Sequence, residues 1–129
     1  MRVLALDHGG VRCGCALSDP TGTVVRPLAA IEPPDPALVA ELVSEHGVER
    51  VVVGVPVSLG GGEGRQASAS RAFADELTGV LDIPVDTYDE RLTTKLAERS
   101  RRAGARSDED SLAAAHLLES YLAARRGGG

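Results

Sequence analysis

Two rhythms of apolar residues alternate along the chain. Val3-Leu4-Ala5-Leu6 and Val51-Val52-Val53 are short unbroken runs, the pattern of central strands covered on both faces. Cys13 to Leu17 and Thr23 to Ile31 read as two more strands, entered through Gly9-Gly10 and through the turn Asp19-Pro20-Thr21-Gly22. Leu38, Val39, Leu42 and Val43 then recur at helical spacing, with Asp35 as N-cap, Pro36 in the first turn and Gly47 as terminator. The run Arg50 to Pro56 is followed by a glycine-rich loop, "SLGGGEGRQ", and by a helix marked by Phe73, Leu77 and Leu81. "IPVDTYDERL" is the fifth strand, "TTKLAERSRRAG" a helix, and a last helix runs from about Ser107 to Arg125. The order predicts an α/β fold: a mixed five-stranded sheet with an antiparallel three-strand meander and helices on both faces.

The 129 residues suffice for one domain with its own core, expected over 1–125, with 126–129 as a flexible tail. No apolar run approaches a membrane span, and the first residues lack the pattern of a signal peptide, so a cytoplasmic location and no membrane partner are expected. Cys13 and Cys15 lie two apart in a strand, on one face, and read as buried inert thiols; no second Cys/His cluster completes a zinc site. The formal charge of −5 argues against non-specific coating of nucleic acid but leaves room for a local basic track.

Three acids interrupt the apolar pattern at informative places. Asp7 ends the first buried run, where a charge is costly unless paired or holding a metal. Asp89 and Glu90 end the fifth strand, and strand alternation lets only one of them face the same way as Asp7. Asp110 opens the last helix and shares the face of Ala114, Leu117, Leu118 and Tyr121. Hard carboxylate donors of this kind suit Mg2+, or Mn2+, in phosphodiester hydrolysis. Each acid also has a structural reading: Asp7 starting the glycine turn, Asp89 or Glu90 pairing with Arg91, Asp110 capping the helix with Ser107. Arg91, Lys95, Arg99, Arg102 and Arg106 fall in a band about 80° wide on an ideal helix, a solvated face or a track for a nucleic-acid backbone.

The motif Asp7-x-Gly9-x-x-Arg12-x-Gly14, with "ALSDP", "VVVGVP", "GGEGRQA", "RAFADEL", "YDERLTT" and "DSLAAAHLLESYL" following in order, resembles the YqgF/RuvX family over nearly the whole chain. The resemblance implies an RNase H-like fold and a magnesium-dependent nuclease that matures the 5′ end of pre-16S ribosomal RNA, or, in an older proposal, resolves Holliday junctions. It implies Asp7, Glu90 and Asp110 as catalytic, metal-holding acids. Arg12, Arg91, Lys95, Arg99 and Arg102 become nucleic-acid contacts. One departure stands out: the approach to Asp110 reads "ARSDEDS", so Asp108 and Glu109 make acidic a stretch that is often basic in the family. Two other classes compete, a nucleotide-binding protein of the actin-like sugar-kinase fold and a non-catalytic RNA-binding or ribosome-associated module. Both a monomer and a homodimer are compatible with the sequence.

Overall fold

The computed structural model describes residues 1–57, 64–93 and 109–127, and in the last stretch the side chains of 111–126. Five strands form one sheet: β1 (Val3–His8), β2 (Cys13–Ser18), β3 (Val25–Ile31), β4 (Arg50–Val55) and β5 (Val85–Asp89). Their spatial order is β3-β2-β1-β4-β5, antiparallel through the meander and parallel from β1 to β4 to β5. The mixed five-stranded sheet expected from the apolar rhythm is the sheet observed.

Helices α1 (Pro36–His46) and α2 (Arg65–Val80) cover one face, and α3 (Glu109–Gly127) covers the other. Strand periodicity assigns the side chains. Leu4, Leu6, Cys13, Cys15, Leu17, Val51 and Val53 pack with Val39, Phe73 and Leu77 under α1 and α2. Val3, Ala5, Ala16 and Val52 pack with Ala114, Ala115, Leu117, Leu118 and Tyr121 under α3. Both cysteines are free and buried, as their shared parity requires. Among the described residues no helix is long and apolar enough to cross a membrane.

Local chemistry explains the ends. Asp35 accepts a hydrogen bond from Ala37 N at 2.9 Å, and Gly47 closes α1 at φ 63°, the left-handed conformation glycine adopts freely. Several boundaries differ from expectation: β5 spans only Val85–Asp89, with a 3-10 turn over Glu90–Leu92, and α2 starts at Arg65. β3 starts at Val25 rather than Thr23, because the Thr23 and Val24 amides donate to the Asp19 carboxylate at 2.7 and 2.9 Å and stay in the turn. At the other end α3 continues through Gly127, so residues 126 and 127 belong to the helix and not to a tail; Arg126 Nη1 donates to the Gly22 carbonyl at 3.1 Å.

Candidate active site

The parallel strands β1, β4 and β5 end together, beside the β1–β2 turn and the start of α3. The C-terminal edge of parallel strands is where an open α/β sheet exposes side chains to a ligand. The turn is tight: Gly9 N donates to the Arg12 carbonyl at 2.9 Å, and a Cβ on Gly9 would stand 2.8 Å from that oxygen. Glycine is needed there, and Arg12 is left exposed at the mouth.

Asp7 continues the parity of Val3 and Ala5, so its partly buried side chain points to the α3 side. On β5, Tyr88 packs into the core under α3, and Asp86 meets Tyr121 of that helix. Glu90, two residues beyond Tyr88, lies on the same side. A Cβ built on Gly54 would stand 2.8 Å from Glu90 Oε1, 3.2 Å from Glu90 Cγ and 3.0 Å from Leu117 Cδ2. The Glu90 side chain therefore reaches from the turn after β5 and lies across β4. Extending the β1–β4 register one step past Leu6↔Val53 sets Gly54 beside Asp7. The Glu90 carboxylate thus lies over the strand next to the one that carries Asp7, neighbouring strands being about 5 Å apart.

Asp89 has the opposite parity and another occupation. Its carboxylate accepts from Arg91 N at 2.9 Å, from Arg91 Nε at 3.0 and 3.1 Å and from Arg91 Nη2 at 2.6 Å. These bonds, the side-chain ones foremost, hold its pKa below the ordinary carboxylate range. Of the two acids left open by the sequence, the one on Asp7's side of the sheet is Glu90. Arg91 sits in a short 3-10 turn, Glu90–Leu92, and Thr93 is extended, so Arg91 does not begin a continuous helix toward Lys95. Lys95, Arg99, Arg102, Arg106 and Asp108 lie outside the described residues. Asp110 stands in the first turn of α3, at this end of the sheet, with its side chain outside the described set.

The next residue along β1, His8, faces α2. Gln66 Nε2 donates to the His8 carbonyl at 2.7 Å and lies 3.3 Å from Nδ1, and Phe73 stacks on the ring at 4.5 Å. Burial lowers the His8 pKa, against the opposing pull of Asp7 and Glu76. This clamp exists because α2 starts at Arg65, inside the stretch read as loop, where Ser68 N donates to the Gly64 carbonyl.

Sequence reasoning passed over two groups. Gly54 carried a signal, an isolated glycine inside a valine strand, which marks close approach by a neighbour. The other group is at the opposite end of the sheet, where Arg50 Nη1 bonds Asp86 Oδ2 at 2.7 Å and Tyr121 donates to the same oxygen. No short-range pattern links those three residues.

Among the described residues no three His, Cys, Asp or Glu side chains form a ready cation site. The donor set still has a definite character. His8, Cys13 and Cys15 have the parity of the α1–α2 face, which leaves oxygen donors from Asp7 and Glu90 at this end of the α3 side. Hard oxygen donors fit a magnesium-like ion.

A family model described as "RuvX: Holliday junction resolvase" matches residues 1–124. A protein of Chloroflexus aggregans named "Putative pre-16S rRNA nuclease" is 42% identical over 134 aligned residues, covering 96% of this chain and 94% of its own. A Moorella thermoacetica protein of the same name is also 42% identical, with 95% and 94% covered. Among solved structures, RuvC of T. thermophilus in complex with a Holliday junction substrate superposes with a TM-score of 0.64 at 18% identity, covering 98% and 96% of the two chains. That likeness shows the fold, which is RNase H-like.

Proposed function

The chain belongs to the RuvX family, and from that premise we propose that it is a metal-dependent endonuclease whose substrate is pre-16S ribosomal RNA, cut in 5′-end processing. Nuclease function is common ground for the family model and for the names of the relatives. The proposed catalytic acids are Asp7, Glu90 and Asp110, and the proposed cation is Mg2+, with Mn2+ as an alternative. The observation that supports the reading is the path of Glu90 over Gly54, the residue one register step beyond Leu6↔Val53 and so next to Asp7.

A bound divalent ion would supply the positive charge that neutralises the scissile phosphate and lowers the pKa of water. Asp7 supplies a carboxylate on a central strand hydrogen-bonded on both sides, a rigid support. Glu90 supplies a second, lying in the space that Gly54 leaves open. Asp110 supplies the third from the first turn of α3. Arg12, exposed beside Asp7, positions the phosphate backbone without reading sequence. Lys95, Arg99 and Arg102 extend that contact in the proposal, while Arg91 first holds Asp89.

The test is cleavage of pre-16S 5′-end RNA, linear DNA and four-way junction DNA with and without Mg2+. The expected result is metal-dependent RNA cleavage, lost by on the order of a hundredfold or more in Asp7→Asn and Glu90→Gln and retained in Asp89→Asn. A folded Asp7→Asn protein with wild-type activity sinks the assignment. The description of the family model favours a second reading, resolution of branched DNA; preferential cutting of the junction would select it.

A further inference from the structure

One buried hydroxyl ties the first turn of α3 to the sheet. Ser111 is fully buried, and its Oγ accepts from the backbone N–H of Cys15 at 3.2 Å. Amides in a regular ladder point along the sheet to a neighbouring strand. This one donates to a helix packed above the sheet, at the place where the β2–β3 register shifts between Cys13 and Cys15. Cys15 pairs with Leu6, one step from the pair Asp7↔Gly14. Ser111 follows Asp110 directly. A single bond therefore joins the turn that carries one proposed acid to the strand beside another.

The residues that follow on the buried face of α3, Ala114, Ala115 and Leu118, are apolar. Alanine at 111 would continue that pattern without burying a hydroxyl. Apolar contacts, however, tolerate sliding of a helix along a sheet, whereas a hydrogen bond fixes distance and direction. We propose that Ser111 is a positioning residue: its bond to Cys15 sets the depth and rotation of the first turn of α3, the turn that carries the proposed acid Asp110, relative to the strand beside Asp7. The proposal rests on the nuclease reading above.

The experiment compares wild type, Ser111→Ala, Ser111→Thr and Asp7→Asn. It reads steady-state kinetics, Mn2+ affinity of the metal-free protein by calorimetry, and hydrogen exchange of the Cys15 amide. Ser111→Ala should lower kcat about 10- to 100-fold and weaken Mn2+ binding by about tenfold. Its KM should stay within about twofold, because substrate contacts are untouched. The Cys15 amide should exchange faster, and Ser111→Thr, which keeps the hydroxyl, should restore all three readouts. A folded Ser111→Ala protein with wild-type kcat and Mn2+ affinity overturns the proposal, as does an equal loss in Ser111→Thr. If Ser111→Ala does not fold, Ser111→Cys takes its place: its sulfur is a weak acceptor of similar size, and wild-type behaviour overturns the proposal. Loss of activity in Asp7→Asn beside an unaffected Ser111→Ala rejects the positioning role alone, while full activity in Asp7→Asn rejects the nuclease centre itself.

Discussion

The two faces of the sheet are built from different side chains. Toward α1 and α2 the strands present Leu4, Leu6, Leu17, Val51 and Val53, met by Val39, Phe73 and Leu77. Toward α3 they present Val3, Ala5, Gly14, Ala16, Val52 and Gly54, met by Ala114, Ala115, Leu117, Leu118, Tyr121 and Leu122, so on this side the helix supplies the bulk. Each buried methylene contributes about 0.8 kcal/mol, and on the first face much of that burial comes from the strands themselves, whereas on the second it comes from α3. Small strand residues on the second face leave room for polar side chains between helix and sheet. Ser111 reaches Cys15, Tyr121 reaches Asp86, and Glu90 lies over Gly54. The first face is lined by bulky strand residues; the second leaves room beside the sheet for polar contacts and for the proposed acids.

That division is open to direct challenge by substitution. Leu77→Ala, at a fully buried position under the α1–α2 face, should lower stability by about 2–5 kcal/mol while specific activity of the folded fraction stays at the wild-type level. Denaturant titration and active-site-normalised rates measure both, and a specific-activity loss would show that the two faces are not separable. Gly54→Ala should cost less stability, about 1–3 kcal/mol, but much more activity, tenfold or beyond, because the new methyl displaces Glu90 and Leu117. A Gly54→Ala enzyme of normal rate would remove the close approach from the mechanism.

Asp86→Asn should cost about 1 kcal/mol at pH 7 by weakening the bonds to Arg50 and Tyr121, and should leave cleavage unchanged. Burial acts to raise the Asp86 pKa, but the bonds from Tyr121 and Arg50 outweigh it and hold the folded-state value below the ordinary one. This carboxylate's contribution is therefore complete above the unfolded-state pKa of about 3.9 and is lost as pH falls through the lower folded-state value. The stabilities of wild type and Asp86→Asn should converge as pH falls below about 4, and parallel curves there would reject the pair as their source. The smallest effect has the opposite sign. Gly79→Ala, in α2 with nothing within 4 Å of the added Cβ, should stabilise by about 0.5–1 kcal/mol without touching activity.

Periodicity made most of this architecture legible. The unbroken runs in β1 and β4 announce two-sided burial, and the α3 stripe Ala114, Leu117, Leu118, Tyr121 is the buried stripe observed. The turn at Asp19 was legible as a turn, but not its length, because that depends on amides captured by one carboxylate. Alternation restricted the fifth-strand acid to Asp89 or Glu90 without choosing, since the choice needs the neighbouring strand and helix. Ser111 and the Arg50–Asp86–Tyr121 group were invisible for the same reason: their partners are 96, 36 and 35 residues away in the chain.

The parallel pairing of β1 with β4 and the late position of α3 also impose an order on biosynthesis. Asp7 leaves the ribosome roughly a hundred residues before Asp110. At about 5–20 residues per second the interval is several seconds or longer. Throughout it Val3, Ala5 and Ala16 have no helix to cover them, and the proposed triad lacks its third member. A nascent chain of this protein therefore carries an uncovered sheet face and an incomplete set of the proposed acids until α3 has been delivered.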